Sequence, residues 1–513
     1  MACQAPASRR FAHRRACARS PLSLRAVALC AGLFIVSPVV AAGQTASPYA
    51  GPSYYPPPPT YARPPPPSTP GQALSYADAQ ALQTALSAAK AGASDQVRVA
   101  MASLSDPLAR KIALWALRDA APDSLSYGEE SSGDFGPGWP RADRQEIAAA
   151  DRARVAAADA EFEAGWTALT RQGDARSADE HFARLQTLGA SPLTQSRAFY
   201  WRGRATEAMG DALAAQLFYA QAARYPTTFY GQLAAAKGGA AVISLGRDPE
   251  ITSGDRVAFE TSEPVRVARL LAQIGARDTF KTFVVALSEA LPNAAQEALL
   301  VDLARQQGDQ ALSMKVVRNA ARRDFILPER GYPLRAAPGA YGGPEAAFIL
   351  GIVRQESGFD PMARSGAGAK GMMQLMPATA AAVAGRLGLG GGDLYDAAYN
   401  MTLGSAFLGQ LVSDFSGSYV MAAAAYNAGP GRPPQWAQEC GDPRSASTDA
   451  INFIECIPFS ETRDYVMRVL EATQVYRARL AGGTAPNRLA ADLKRGGYGY
   501  GSYGSAGAGA APR

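Results

Sequence analysis

The sequence predicts an all-α protein with two folded parts. Alanine-rich amphipathic segments recur from residue 79 to about residue 324, with short breaks at Gly, Asp or Pro, and the alternating pattern typical of strands is missing. A composition shift, AAPGAYGGP over residues 336–344, separates these segments from a block of shorter helices that ends near Leu480. With 513 residues, 47% of them hydrophobic, the chain is long and apolar enough for more than one folded core.

Residues 1–42 have the features of a secretory signal. Six arginines and no acidic residue accompany an apolar run over residues 26–40, and small residues follow at Ala41 and Ala42. The run is short for a membrane span and is interrupted by Pro38. We therefore predict that the protein is exported and the signal removed; the alternative is an uncleaved N-terminal anchor.

The formal net charge of +6 belongs to this signal. Without residues 1–42 the chain has 45 basic residues, against 45 acidic ones. A mature chain close to neutrality gives no reason to expect a nucleic-acid partner.

Two low-complexity segments flank the predicted folded parts. Residues 43–75 contain GPSYYPPPPTYARPPPPSTPG, which favours extended polyproline and predicts a stiff linker. Residues 486–513 end in GGYGYGSYGSAGAGAAPR, and we predict a disordered Gly- and Tyr-rich tail there.

The first folded part, residues 76–330, is predicted to be a helical superhelix. Its clearest unit covers residues 196–226, where two helices meet at Met209-Gly210-Asp211 and Pro226 ends the unit. This unit resembles a tetratricopeptide-type hairpin, which buries its apolar face only by stacking on its neighbours. Outside residues 196–226 the helical repeats are not evenly spaced along the sequence, so we expect an irregular superhelix.

The small numbers of histidine and cysteine residues limit the kinds of catalytic and metal site that the chain can form. Only His181 lies outside the signal, which argues against Ser-His-Asp, Cys-His and His-ligated metal enzymes, so we predict no cofactor and no metal. The mature chain keeps Cys440 and Cys456, 16 residues apart, and in an oxidising compartment they are expected to form a disulfide. Two buried free thiols are the alternative.

Glu356 is the predicted catalytic acid. It follows an almost wholly apolar helical stretch, FILGIVRQ, and Ser357-Gly358 ends that helix directly after it. The negative end of the helix dipole and the apolar surroundings both favour the protonated carboxyl near neutrality. A general acid needs this state. The alternative is a surface carboxylate beside Arg354.

Three later segments carry further candidates. Gln374 lies in the apolar setting of GMMQLMP, where its amide needs a hydrogen-bond partner such as a bound sugar. Tyr426 and Asn427 lie where a small-residue helix, AAAAYNAG, ends. Glu461 begins the helix ETRDYVMRVL, where it could instead simply complement the positive helix N-terminus.

Taken in order, these motifs resemble those of the soluble lytic transglycosylases, whose catalytic domain is similar to goose-type lysozyme. The resemblance covers most of residues 80–480, but not the proline-rich linker or the tail. It implies a lysozyme-like catalytic domain at residues 331–485. The matching motifs are Glu356-Ser357, GMMQLMP over residues 371–377, AYNAG over residues 425–429 and ETRDYV over residues 461–466.

The resemblance implies cleavage of the β-1,4 bond between N-acetylmuramic acid and N-acetylglucosamine in peptidoglycan. Glu356 would act alone, first as acid and then as base, while the C6 hydroxyl of the muramoyl unit attacks its own anomeric carbon. Tyr426 would also position the Glu356 carboxyl, whereas we expect Asn427 to shape its turn and Tyr465 to pack. The residues implied to contact substrate are Ser365, Gln374, Met376, Tyr426, Asn427 and Glu461.

The implied partner is the peptidoglycan glycan strand, and the implied location is the periplasm, with peripheral association to the outer membrane or cell wall left open. Protein partners cannot be read from the sequence. Two other functions remain: a hydrolytic muramidase, for which Asp360, Asp393 and Asp396 are possible second carboxylates, and a non-catalytic scaffold bound to the wall.

Overall fold

A computed structural model describes residues 73–126, 135–141, 143–239, 242–336 and 342–497. The predicted signal, nearly all of the proline-rich linker and the last sixteen residues of the predicted tail lie outside the described residues. The described part is mostly helical, which confirms the predicted all-α class.

The first group of helices runs to residue 322. A 3₁₀ turn, Pro122–Ser124, follows the third helix, and a π-helical turn, Ala168–Gln172, extends the fourth. The helices are α1 (Tyr76–Lys90), α2 (Ser94–Ala102), α3 (Pro107–Ala120), α4 (Arg144–Thr167), α5 (Ala175–Leu188), α6 (Pro192–Ala208), α7 (Ala212–Ala222), α8 (Phe229–Lys237), α9 (Ser253–Thr261), α10 (Glu263–Gln273), α11 (Arg277–Ala290), α12 (Ala294–Gln306) and α13 (Gln310–Arg322).

The second group follows residue 342 and is made of shorter helices apart from two. These helices are α14 (Ala346–Glu356), α15 (Pro377–Leu387), α16 (Ala397–Asp414), α17 (Tyr419–Ala428), α18 (Arg432–Cys440), α19 (Ala450–Cys456), α20 (Ser460–Leu480) and α21 (Leu489–Leu493).

One small antiparallel sheet joins the two groups. Strand β1 (Val242–Ser244) pairs with β2 (Thr484–Pro486), with Val242 opposite Pro486. This sheet was not predicted, because three residues are too few for an alternating pattern to be recognised.

The predicted helical hairpin is formed by α6 and α7. Ser191 caps α6 by accepting a hydrogen bond from the backbone N–H of Thr194, and Asp211 caps α7 in the same way. Gly203 lets the two helices approach closely, since a Cβ there would lie 2.6 Å from the ring of Tyr219. The hairpin is therefore fixed by its caps and by one close contact.

Two large hydrophobic cores divide the first group of helices. Helices α1–α3 and α9–α13 share one core, which includes Trp115 and Phe283 in edge-to-face contact at 4.8 Å. Helices α4–α8 share the other core with the second group, and Trp201 and Tyr230 lie in the same buried cluster as Phe348. The stretch predicted as one superhelical domain, residues 76–330, thus contributes to two cores.

The folded chain continues past the predicted boundary at residue 485. The buried carboxylate of Asp492 on α21 accepts hydrogen bonds from Gln474 at 2.7 Å and forms an ion pair with Arg477 at 2.5 Å, both on α20. Because α21 packs on α20 in this way, residues 486–497 are part of the fold, and the disordered tail predicted to start at residue 486 was placed too early.

Candidate active site

Helix α14 places Glu356 at its last residue. Seven consecutive residues, 347–353, are buried, because the helix lies between other elements of the second group. Gly351 allows α20 to approach, since a Cβ there would lie 3.0 Å from the carbonyl oxygen of Val469. Such a helix holds its final carboxyl group in a fixed position against α20.

Glu356 has one hydrogen-bond partner in the described structure. The hydroxyl of Tyr465, on α20, donates to Glu356 Oε1 at 2.6 Å. No Lys, Arg or His in the described residues forms an ion pair with this carboxyl. Burial raises the pKa of Glu356 to about 7; the Tyr465 hydrogen bond lowers it, and the nearby charge of Glu461 raises it. The group is therefore poised to give and take a proton near neutrality.

The role of Tyr465 differs from the expected one. From the sequence, Tyr465 was expected to pack and Tyr426 to position the Glu356 carboxyl. Instead the Tyr426 hydroxyl donates to the backbone carbonyl of Met373 at 2.8 Å, while Tyr465 holds the carboxyl. The Tyr465 ring is buried and the Tyr426 ring is partly buried. Burial is the main cause that raises the pKa of each hydroxyl, and the nearby charge of Glu356 raises it further. Both phenols thus stay protonated and remain donors.

The backbone directly after Glu356 turns sharply. Phe359 has a φ of +69°, an uncommon conformation for a non-glycine residue, and its ring is buried. Ser357 stabilises the turn: its hydroxyl donates to the carbonyl of Met372 at 2.7 Å and accepts from the N–H of Phe359 at 3.1 Å. The same serine therefore ties the end of α14 to the GMMQL loop, residues 371–375.

Asn400 holds the GMMQL loop in place through hydrogen bonds of its side-chain amide. Its amide donates to the carbonyls of Lys370 and Leu394, both at 2.9 Å, and its oxygen accepts from the N–H of Met373 at 2.8 Å. Gly371 is needed here, because its φ is +77° and a Cβ would lie 2.1 Å from the Leu394 oxygen. Asn400 was not among the residues predicted from the sequence, although a lone Asn within the apolar stretch of α16 was an available signal.

Gln374 uses the nitrogen of its side-chain amide within the protein. Its φ is +47°, and its amide nitrogen donates to the carbonyls of Ala363 and Gly371 at 3.0 and 2.9 Å. The amide nitrogen is thus used within the protein. Its Oε1 accepts no hydrogen bond from the described residues, so this atom is the one available to a ligand N–H or O–H group.

Asn427 is joined to the start of α20. Its Oδ1 accepts a hydrogen bond from the hydroxyl of Thr462 at 2.7 Å. This contact ties the end of α17 to the turn of α20 that carries both Glu461 and Tyr465. Glu461 itself is exposed and acts on Glu356 through its charge.

Ser365 and Met376 flank the GMMQL loop. The hydroxyl of Ser365 accepts from the N–H of Ala369 at 3.0 Å and so closes the turn before the loop. Met376 is 43% exposed and precedes α15. The structure places both residues next to the loop that carries Gln374, but no contact joins either of them to Glu356.

The three aspartates considered as second carboxylates have structural contacts. Asp360 accepts from the N–H of Met362 and Asp393 from the N–H of Tyr395, each at 2.9 Å. Asp396 caps α16. None of the three contributes to the pKa of Glu356.

Cys440 and Cys456 form a disulfide, with their Cα atoms 5.9 Å apart. The bond joins the end of α18 to the end of α19 and closes the segment between them. Among the described residues there is no group of three or more His, Cys, Asp or Glu side chains that could hold a metal ion. No helix in the described ranges combines the length and the apolar character that a membrane crossing requires.

Two family models match the second group of helices. The model described as "Transglycosylase SLT domain" matches residues 336–447, which include Glu356, Gln374 and Tyr426. Over these residues the chain is similar to the transglycosylase domains that this model describes. The model described as "Soluble lytic transglycosylase helical domain" matches residues 456–484, which carry Glu461 and Tyr465.

Individual relatives match this chain over short stretches. The soluble lytic murein transglycosylase of Escherichia coli is 38% identical over 135 residues, which are 26% of this chain and 20% of the relative. Membrane-bound lytic murein transglycosylase C of Glaesserella parasuis is 31% identical over 158 residues, 26% of this chain and 42% of the relative. The chain thus spans about a fifth of the first relative's length.

Among solved structures, the 70 kDa soluble lytic transglycosylase from Escherichia coli is similar to this chain. The sequence identity is 22%, the TM-score is 0.46, and the alignment covers 79% of this chain and 63% of the other.

Proposed function

We propose that the protein is a lytic transglycosylase of peptidoglycan that cleaves the β-1,4 bond between N-acetylmuramic acid and N-acetylglucosamine and leaves 1,6-anhydromuramic ends. The observation that carries this proposal is the state of Glu356: partly buried, without a cationic partner among the described residues, and held by the Tyr465 hydroxyl at 2.6 Å. The similarity of residues 336–447 to the transglycosylase domain model, and of 135 residues to a soluble lytic murein transglycosylase, supports the same substrate class.

In the first step the protonated Glu356 donates its proton to the glycosidic oxygen, and the N-acetylglucosamine unit leaves with a free 4-hydroxyl. In the second step the resulting carboxylate accepts the proton of the muramoyl C6 hydroxyl as that oxygen bonds to the anomeric carbon. The ring closes, Glu356 is protonated again, and no water is consumed. A pKa of about 7 serves both steps, because neither protonation state is strongly disfavoured.

A single carboxyl suffices for this reaction because the substrate supplies the attacking oxygen. Ordinary glycosidases use a second carboxylate as nucleophile or to activate water. Asp360, Asp393 and Asp396 each bind a backbone N–H instead, which favours the proposed route over a hydrolytic one. Gln374 Oε1 and Glu461 are proposed to orient the sugars.

The test is to digest purified sacculi and identify the ends of the soluble products by mass spectrometry. Products with anhydromuramic ends, lighter by one water than reducing ends, are expected. Reducing ends would show a hydrolytic muramidase, and no release would favour a non-catalytic scaffold; either result would overturn the proposal.

The matched variants are Glu356→Gln and Glu439→Gln. The first replaces the acid by a near-isosteric amide, and we expect the rate to fall by about 10²–10⁴-fold, the usual contribution of a general acid. The second removes an exposed carboxyl of α18 without a recorded partner and should leave the rate unchanged.

We further propose that the protein acts in the periplasm. The Cys440–Cys456 disulfide fits an oxidising compartment, and the features of residues 1–42 fit export. N-terminal sequencing of the exported protein tests this proposal; a start near residue 43 is expected, and an intact Met1 would indicate an anchored form instead.

A further inference from the structure

Helices α14 and α20 lie side by side and run in opposite directions. Near the end of α20, Arg477 binds Glu345, the residue that precedes α14, and near the start of α20, Tyr465 binds Glu356, the last residue of α14. Positions four residues apart lie on one face of a helix, so Tyr465 and Arg477 both face α14. The eleven residues of α14 span about 16 Å, and the two contacts therefore lie at opposite ends of one rigid helix.

Side-chain hydrogen bonds join α14 to α20 only at these two ends, within the part of the chain that the structure describes. Between them residues 347–353 are apolar and buried. Apolar burial is non-directional, so it resists a small slide of one helix along the other less than a hydrogen bond does. An O–H···O bond spans about 2.5–3.0 Å, and a slide of about 1 Å would break the contact between Tyr465 and Glu356.

The contact at the far end is a paired, charge-assisted one. Nε and Nη2 of Arg477 donate to the two carboxylate oxygens of Glu345 at 2.9 and 2.6 Å. The Tyr419 hydroxyl donates to the same carboxylate at 3.0 Å, and the Tyr419 ring stacks on Phe348 of α14 at 4.0 Å. Burial raises the pKa of Glu345, but the hydrogen bond and charge of Arg477 outweigh it, so the pKa lies below its usual value and the carboxylate stays charged.

Asp492 holds the same guanidinium in place. Nη1 and Nη2 of Arg477 donate to the Asp492 carboxylate at 2.5 and 3.0 Å, and Gln474 donates to it at 2.7 Å. The side chains of Arg477 and Asp492 are 9% and 3% exposed, so solvent screens this ion pair little. Asp492 lies on α21, beyond the residues that either family model matches. We call Glu345, Arg477 and Asp492 the Arg477 network.

We propose that the Arg477 network positions the catalytic acid: it fixes the register of α14 along α20 and so keeps Glu356 within hydrogen-bond distance of Tyr465. The role of Glu356 as the acid rests on the proposed function, whereas the register rests on the contacts alone. Burial, Tyr465 and Glu461 set the pKa of Glu356, with the Tyr426 hydroxyl also nearby, and no charge of the network contributes to it. The network therefore acts through position and not through its electric field.

The first test is Glu345→Gln, which removes one charge of the network from a side chain that is 35% exposed. We expect kcat to fall by no more than it does in Tyr465→Phe, with KM unchanged, because both variants act through the same hydrogen bond. That bond lowers the pKa of Glu356, so the fall of kcat at high pH should move to higher pH. Steady-state kinetics on soluble glycan strands across the pH range measure both effects.

The matched control is Glu329→Gln. It removes the carboxylate that lies 3.6 Å from Arg479, the next arginine of α20, without a contact to α14. Its kcat and pH profile should equal those of the wild type. If Glu345→Gln also keeps the wild-type pH profile, the network has only a structural role and the proposal is overturned.

A double variant tests the route. In a Tyr465→Phe background the hydrogen bond is already missing, so adding Glu345→Gln should produce no further shift of the pH profile. Additive shifts would contradict positioning through Tyr465. Asp492→Asn should move the profile in the same direction as Glu345→Gln but less, because Arg477 keeps its contact with Glu345; an unchanged profile would refute the part assigned to α21.

Unfolding free energies provide a readout that needs no catalysis. A higher pKa of Glu356 in the folded state increases the stability that is lost as the pH rises. Glu345→Gln should therefore enlarge the pH-dependent difference in stability between chains with and without Glu356→Gln. An enlarged difference without lytic activity on sacculi would refute the proposed function and keep the positioning role. Lytic activity without an enlarged difference would refute the positioning role alone.

Discussion

The first turns of α20 lie between two carboxyl groups with opposite surroundings, the partly buried Glu356 and the buried Glu455. On one side Glu356 meets the Tyr465 hydroxyl and the negative charge of Glu461. On the other side Glu455 is bound by Arg197 at 2.8 Å, by Tyr230 and, at 3.8 Å, by Arg463. Residues 461 and 465 are one helical turn apart, and residue 463 points to the opposite side of the helix.

The different surroundings of Glu356 and Glu455 show that the first turns of α20 contact a carboxyl suited to proton transfer on one side and a carboxyl with a structural role on the other. A buried carboxyl surrounded by cations and donors serves as a structural link, because removing it leaves buried arginines unpaired. A buried carboxyl beside a neutral phenol and another acid is instead driven toward its protonated form. The side of α20 that each carboxyl group faces decides whether its neighbours are cations or a phenol and an acid, and so decides its role.

Glu455→Gln is the variant with the largest expected effect on stability. The amide keeps the shape but leaves Arg197 and Arg463 without their buried partner, and we expect the free energy of unfolding to fall by about 3–5 kcal/mol. Denaturant unfolding followed by circular dichroism measures it, with Glu439→Gln as the control. The rate of cleavage per folded molecule should stay within about twofold of the wild type. A loss of stability below about 1 kcal/mol would show that the cluster is not a structural link.

Glu356→Gln should have the opposite effect on stability at high pH. The pKa of Glu356 is raised from 4.5 to about 7, so the folded state holds this proton more tightly than the unfolded state. In the wild type, the protonated Glu356 therefore contributes fully to the free energy of unfolding below pH 4.5. This contribution is lost as the pH rises to 7. The full shift corresponds to about 3 kcal/mol, and contact with solvent lowers our expectation to about 2 kcal/mol.

Unfolding curves of both proteins at pH 4.5 and pH 8 provide the measurement. The variant should gain stability relative to the wild type only at the higher pH. A difference that does not depend on pH would mean that Glu356 titrates in the folded protein as it does in water.

The helices and the acid could be predicted from the sequence because the signals are local. A 3.6-residue period defines the helices, and an apolar stretch that ends on Glu356 defines the acid. The partition of the buried cores could not be predicted, because it depends on contacts such as Tyr230 with Glu455, 225 residues apart.

Tyr465 and Asn400 show the same limit within the site. The pattern around Tyr465 reads as the apolar face of a helix, and nothing in it indicates that a carboxyl lies opposite. Asn400 looks like any polar residue of α16 until the structure shows three backbone groups of other segments around its amide. Residues that hold other residues are recognised only once the chain is folded.

Tyr465→Phe tests the chemical side of the comparison. The variant loses the hydrogen bond to Glu356 Oε1 but keeps the ring, and we expect about a tenfold fall in kcat, the loss of one hydrogen bond to an ionisable group. That bond lowers the pKa of Glu356, so its removal should also raise the pKa that governs the fall of kcat at high pH. Tyr426→Phe is the comparison, since its hydroxyl donates to Met373. If Tyr465 had only a structural role, the Tyr465→Phe variant would show the same pH profile of kcat as the wild type.

Glu461→Gln is expected to have the smallest effect and the opposite sign. The charge of Glu461 raises the pKa of Glu356, so the neutral amide should lower the pKa seen in the kcat profile by a fraction of a unit. The shift should shrink at high salt, because Glu461 is exposed and its field is screened. Measuring kcat at saturating substrate separates this effect from any loss of sugar binding, which would alter KM. If Tyr465→Phe and Glu461→Gln move the pKa in the same direction, the two groups do not act on Glu356 through the contacts described, and α20 would position the acid only by packing.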